Sequence, residues 1–414
     1  MLRLIRQYGL IFWDWLKSFF EVSFVNLYQQ TIDILSQLIA FDTQSFLPNL
    51  ALIDYLETHL TAHGAVSFKN HNSDKTKANL FATLPASNGD TNGGILLSGH
   101  SDVVPVAGQN WNSDPFTLTE KDGKLYGRGT SDMKGFIACA IASLPVLSRG
   151  ERTKPIHFAF SYDEEVGCLG ARELVDELQR LGIAPEIAII GEPTQMQIIE
   201  GHKSACQYTT HFEGLASHGS LPDLGVNAVE YATRYISKLL EIKEKLKTLA
   251  PPNNTYAPPY STLQIGKIEG GNAHNIVADK CSVGWEFRAL QKSDAQFVHT
   301  QIDDYQNSEL LVQMKRVHAD SHIYKEIIAE VEGLDIAQAS EAKEFMGELL
   351  GQNTAGVVSF GTEAGLFALL GTSTIVCGPG SIKQAHKANE YIEIDQLKLC
   401  LQMLEKLAKS NQNH

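Results

Sequence analysis

Cysteine is scarce in this chain. Its 414 residues hold six, Cys139, Cys168, Cys206, Cys281, Cys377 and Cys400, and no two form a C-x-x-C pair. That argues against a disulfide scaffold and suits reduced thiols in a cytoplasmic protein. Basic residues are in deficit: 34 Lys and Arg stand against 48 Asp and Glu, a net charge of −14. Sequence-independent nucleic-acid binding needs a basic footprint, so no nucleic-acid partner is expected. An acidic surface suits a soluble protein handling a small, even cationic, substrate. No run of about eighteen uncharged apolar residues exists, so no bilayer-spanning helix is expected. Internal repeats and low-complexity stretches are also missing. What remains is an ordinary globular composition, 43% apolar and 20% charged, able to bury a sizeable core. At about 150 residues per domain, the length suggests two or three domains.

The first residues, MLRLIRQYGLIFWDWLKSFF, have early arginines and an aromatic stretch that superficially resemble a signal peptide. Asp14 and Lys17 interrupt the stretch and no small-x-small cleavage pattern follows, so no cleaved signal is expected. Residues 1–26 read as an N-terminal extension: an amphipathic helix touching a membrane or another chain, or the product of a start codon set too far upstream. Membrane contact is the lesser expectation. The globular part should begin near Leu27, where LYQQTIDILSQLIAFDT has the spacing of an amphipathic helix.

Strand and helix patterns then alternate. Short apolar runs at 94–98, 156–160, 187–190 and 374–377 look like parallel strands buried on both faces. Helical segments are expected at 133–147, 170–181 and 365–370. This is an α/β layout, with function expected at the carboxyl ends of the strands. Residues 204–319 read differently: strand 205–212, helix 228–249, strands 262–269 and 281–289, helix 294–305 and a final strand 310–317. That β-α-β-β-α-β order is ferredoxin-like and predicts a smaller α+β domain inserted into a catalytic domain made of 27–203 and 320–414.

All four apolar runs lead into residues that bind metals. The first ends in SGHSD, giving His100 and Asp102; the second in SYDEEVG, giving Asp163, Glu164 and Glu165. The third ends in GEPT, giving Glu192, and the fourth leads through GPGSIKQAHKANE to His386. YGRGTSDMKG places Asp132 just before a helix. Parallel strands bring their carboxyl ends together, so side chains up to 286 residues apart (386 − 100) can converge. Imidazole and carboxylate without thiolate suit a catalytic zinc, cobalt or manganese site. Five ligands and a spare carboxylate exceed the needs of one ion and match two ions sharing a bridging carboxylate and a bridging water. Of adjacent Glu164 and Glu165, one can bind metal while the other moves protons. Asp102 can fix the tautomer of His100 through its unligated nitrogen. His157 lies inside a strand and reads as a core histidine; Cys168 and Cys377 read as buried thiols rather than nucleophiles.

Taken together, GHSDVVPV, WNSDPF, DGKLYGRGTSDMKGF, DEEVG, GEPT, ASHGSLPDLGVNA and GPGSIKQAHKANEY resemble the di-zinc aminoacylase and carboxypeptidase family, over roughly residues 27–408. The resemblance implies a di-zinc aminopeptidase-like catalytic domain with an inserted lid domain. It implies two zinc ions per subunit, replaceable by cobalt: one on His100, Asp132 and Glu192, the other on Asp132, Glu165 and His386. Glu164 would be the general base and acid, and the Asp132–Met133 peptide would be cis. The family forms homodimers through the lid, and His218 in ASHGS resembles the lid histidine that reaches an active site, the partner's, to stabilise an oxyanion. Asn275 in GGNAHNIV and Arg288 in WEFRAL resemble substrate-contacting lid residues, Arg288 suiting an α-carboxylate. Alanine follows Asn275-Ile276-Val277 and Ala289-Leu290-Gln291 follow Arg288, where the family has prolines. Glu363 in GTEAG either approaches a cationic substrate side chain or serves the structure. The implied activity is cytoplasmic hydrolysis of N2-acetyl-L-ornithine. Removal of a succinyl group from succinyl-diaminopimelate, or general N-acyl-amino-acid hydrolysis, is the alternative, and a non-catalytic metal-binding relative is a third reading.

Overall fold

The computed structural model describes residues 26–412, so the readings of residues 1–25 lie outside it. Residues 26–40 are helical, and Leu27, Ile34, Leu35, Leu38 and Ile39 are buried along one face at the expected helical spacing. The helix Leu50–Ala62 follows and buries Leu52, Ile53, Leu56 and Leu60.

An eight-stranded sheet organises the larger part of the molecule. Its order is Val66–His71, Ala78–Leu84, Ile156–Ser161, Ile95–His100, Ile187–Pro193, Ser373–Gly378, Ile199–His202 and Gly356–Val358. The four strands expected from apolar runs lie side by side and parallel in the middle of this sheet. Their alternate residues feed two cores. Ile95, Leu97, Ile189, Ile375 and Cys377 pack with helices Lys134–Ala142 and Ile394–Ser410 on one face. Leu96, Ala188, Ile190 and Val376 pack with Leu169–Leu181 and Ala364–Ala368 on the other. Burial on both faces is why these runs are apolar throughout rather than alternating.

A second sheet is antiparallel, in the order Thr262–Gly270, Lys280–Arg288, Ala205–Glu213 and His322–Val331. Along Ala205–Glu213 and Lys280–Arg288 buried and part-exposed residues alternate, as a sheet covered on one face requires. Helices Ala228–Thr248 and Lys292–Tyr305 supply the cover. The β-α-β-β-α-β order is present, with one correction. Residues 310–317, read as the last strand, are helical. Lys292–Tyr305 runs on through a π-helical turn, Gln306–Leu310, into Leu311–Val317. Val298, Ile302, Leu310 and Met314 form one buried stripe at multiples of four, so helical packing outweighs the strand-like composition of LLVQMKRV. The last strand is His322–Val331, so a boundary at residue 319 falls before the fourth strand of this sheet. No helix among the described residues is long and apolar enough to cross a membrane.

Candidate metal centre

The carboxyl ends of the parallel strands meet where the sequence places its ligands. His100 is the last residue of its strand, Glu192 the penultimate residue of Ile187–Pro193, and the Asp163–Glu165 turn follows Ile156–Ser161. Asp132 precedes the helix Lys134–Ala142, with a cis Asp132–Met133 peptide, and His386 lies in the loop after Ser373–Gly378.

Asp132 stands between two imidazoles. Its Oδ1 is 3.1 Å from His100 Nε2 and its Oδ2 is 3.3 Å from His386 Nε2. Glu192 Oε1 lies 3.7 Å from His100 Nε2, and Glu165 Oε2 lies 2.8 Å from His386 Nε2. Two groups place their ligand atoms within 4.8 Å of one another: His100, Glu164 and Glu192, and His100, Asp132 and Glu165. All six residues singled out as ligands or base are thus brought together, and Glu164 comes as close to His100 as a ligand would.

The electrostatics call for cations. Burial, then the neighbouring carboxylates, push the Glu164 carboxyl up to about 8, and burial and Asp132 push Glu165 up to about 7. Burial raises Glu192 well above the usual carboxylate range, and its Oε1 is a buried oxygen with no hydrogen-bond partner. Hydrogen bonds donated to Asp132 and Glu165 lift His386 to about 10. Asp132 is also buried, yet hydrogen bonds from the two histidines outweigh that burial and hold it below the usual range. Crowded acids, an orphaned buried oxygen and two imidazoles with no thiolate fit divalent ions of the zinc and cobalt kind.

Supporting contacts aim these groups. The Nδ1 of His100 donates to the backbone carbonyl of Asp102 at 2.9 Å, leaving Nε2 to face Asp132 and Glu192. The carboxylate expected in that role is 3.6 Å away. It instead accepts the Ser45 hydroxyl at 2.8 Å and the backbone amides of Glu164 and Glu165 at 3.0 and 3.3 Å. Asp102 therefore holds the turn that carries the base. A buried Lys77–Asp163 pair at 2.6 Å pins the same turn, and the Cys168 thiol donates to Glu164 Oε1 at 3.3 Å. Asp163 has φ 51° and Gly167 φ 112°, where a Cβ would come within 2.9 Å of the Cβ of Ala329. Only glycine accommodates that approach.

Other readings find their places. His157 is a core histidine, with its ring nitrogens 2.8 Å from Thr83 Oγ1 and 2.7 Å from the Gly93 carbonyl. All six cysteines are buried and unpaired. Glu363 is 0% exposed, and each of its oxygens accepts a serine hydroxyl, from Ser98 and Ser161, at 2.7 Å. It is buried against the strands that lead to His100 and to the Asp163–Glu165 turn. His218 and Asn275 are exposed neighbours on the smaller domain: Gly219 N donates to the Asn275 carbonyl at 2.7 Å, and His218 bridges to Ile276. Arg288 lies at the other end of its strand, 3.6 Å from Glu286. None of these three bonds to a metal-centre residue among the described residues. Sequence reasoning passed over Glu390, whose carboxylate gathers donors from Arg128 to Asp132. The available signal was an acid four residues after a ligand histidine.

Residues 96–410 match peptidase family M20/M25/M40. Proteins named acetylornithine deacetylase are 35% identical in Proteus mirabilis, over 90% of this chain and 92% of theirs, and 34% identical in Myxococcus xanthus, over 88% and 93%. Among solved structures, a tripeptidase from Staphylococcus aureus superposes with a TM-score of 0.70 at 20% identity, over 92% of this chain and 98% of its own. A dinuclear metal-binding M20 peptidase from Bacillus subtilis gives 0.62 at 15%, over 92% and 97%. Fold, ligand set and kinship agree: this chain belongs to peptidase family M20/M25/M40.

Proposed function

We propose that this chain hydrolyses N2-acetyl-L-ornithine to L-ornithine and acetate, the ornithine-forming step of arginine biosynthesis, as a cytoplasmic homodimer holding two zinc ions per subunit, with cobalt able to replace zinc. The observation that carries the reading is Asp132 set between His100 and His386, with Glu164 beside them. The deacetylases at 34–35% identity support the substrate. His100, Asp132 and Glu192 would hold one ion, and Asp132, Glu165 and His386 the other. Bound ions would supply Lewis-acid polarisation of the amide carbonyl and acidify the attacking water.

The chain does the rest. Glu164 takes the proton of the attacking water and returns it to the departing amine. Asp102 fixes Glu164 through its backbone amide. Arg288 grips the α-carboxylate, Asn275 contacts the substrate, and His218 donates to the developing oxyanion. Lys280–Arg288 is nine residues long, so at about 3.3 Å per residue Arg288 is some 26 Å from its Lys280 end, beyond which Asn275 and His218 lie. One small substrate cannot span that distance. That separation supports the reading in which His218 of one subunit, with Asn275 beside it, serves the site of its partner.

Release of free amine from N-acetylornithine, succinyl-diaminopimelate and acetylmethionine tests the reading, before and after chelation and with zinc or cobalt restored. Metal-restorable turnover fastest on N-acetylornithine is expected. Preference for another compound discards the arginine-pathway assignment and keeps the di-metal site. No turnover with both metals bound discards catalysis.

A further inference from the structure

We infer that Glu390 is a positioning residue that sets Asp132 and His386 in register, and so builds the second metal site. The inference rests on the two-ion reading above.

Glu390 is 1% exposed and none of its capacity goes to solvent. Its Oε1 accepts the backbone amides of Ser131 and Asp132 at 2.9 and 3.1 Å. Its Oε2 accepts the Gly129 amide at 3.0 Å and Arg128 Nη1 at 2.7 Å. Three backbone amides on the approach to the bridging aspartate, those of Gly129, Ser131 and Asp132, thus converge on one carboxylate. The Glu390 backbone is fixed as well: its carbonyl accepts Gly127 N at 3.0 Å, and the strand Tyr391–Glu393 that follows pairs with Lys124–Tyr126.

The same carboxylate reaches the other ligand of the second site through Arg128. Arg128 Nη1 also donates to the Lys387 carbonyl at 3.3 Å, and Nη2 donates to Gln109 Oε1 at 2.6 Å. Gln109 Nε2 in turn donates to the His386 carbonyl at 3.2 Å. The His386–Lys387 backbone is therefore held from two directions by a network centred on Glu390. His386 needs that support. Its side chain is 53% exposed and its φ is 62°, a left-handed conformation that a residue other than glycine seldom adopts. His100, the counterpart in the first site, ends a central strand and needs no such clamp.

Glu390→Gln separates the sites. A carboxamide has one acceptor oxygen and one donor nitrogen, so in either orientation its NH2 faces two donors. Arg128 draws the oxygen, which leaves the NH2 against the amides of Ser131 and Asp132. The test is calorimetric titration of the metal-free full-length protein with Zn2+, and with Co2+ followed by its visible absorption. In the unaltered protein two equivalents are expected; binding of only one would fail the two-ion reading itself. Folded Glu390→Gln is expected to bind the second equivalent about tenfold or more weakly and to lose much less at the first, with an altered cobalt spectrum for the second ion. Two equivalents at unaltered affinity, or equal weakening of both, would overturn the inference. Should Glu390→Gln not fold, Arg128→Met combined with Glu390→Gln removes the buried charge and is read by the same criteria.

Discussion

The metal centre and the lid residues differ in how they are held. His100, Asp132 and Glu192 are at most 5% exposed; His100 and Glu192 stand at the ends of strands with a core on either face, and Asp132 just before the helix Lys134–Ala142. His218 and Asn275 stand in solvent on loops, and Arg288 sits about a strand's length away from them. The first region is complete within one chain. The second, in the function proposed above, completes the site of a partner subunit. Acid crowding marks the first, where Glu164, Glu165 and Glu192 are all raised, whereas His218 Nδ1 lies 2.7 Å from the hydroxyl of Ser220.

The sharpest way to probe this contrast is to disable each region alone. Glu164→Gln should retain both metals, by elemental analysis, and lose about 10²–10⁴-fold in turnover. His218→Ala should also retain both metals and lose about 10²–10³-fold, the usual cost of an oxyanion donor. Mixing the two inactive variants should then restore part of the activity, because a heterodimer holds one site with both groups intact. No recovery after subunit exchange would place His218 in its own subunit's site. In stability the contrast is between core and edge. Leu97→Ala should cost about 2–5 kcal/mol, by chemical denaturation, since it opens a cavity under the ligand-bearing strand. Ile327→Ala, 58% exposed on the lid's edge strand, should change stability by no more than about 0.5 kcal/mol.

The smallest effect is a proton count. In the metal-free protein Glu164 and Glu165 titrate near 8 and 7, above their unfolded range, so between about pH 4.5 and 8 the folded state binds protons that the unfolded state has lost. Stability of that form should therefore fall as pH rises through this window, and His386, raised to about 10, acts in the same direction above its unfolded range. Metal loading near pH 7 should release protons, read as a dependence of binding heat on buffer ionisation enthalpy. Buffer-independent heats would contradict the acid crowding.

How much was legible follows the same division. Parallel strands buried on both faces announce themselves as apolar runs, and their carboxyl ends are fixed points, so the convergence of His100, Asp132, Glu164, Glu165, Glu192 and His386 could be read directly. The run 310–317 misled because a short apolar segment fits either period. Only the stripe shared with Val298 and Ile302 decides it, and that stripe crosses a π-helical turn. Asp102 was found, but its carboxylate and carbonyl exchange the expected tasks, since backbone direction at a strand end is not written in residue types. Glu390 was missed because a buried acid that binds mainly backbone amides, with Arg128 far off in sequence, leaves no mark except its own position.

The measurement closest to the central claim is a joint titration of metal and turnover. Metal-free protein would be loaded stepwise while N-acetylornithine hydrolysis is followed, alongside Asp132→Ala. The account predicts activity that saturates at two equivalents per chain, and a variant that no longer holds two ions and is inactive. Full activity at one equivalent, or an active Asp132→Ala, would contradict it.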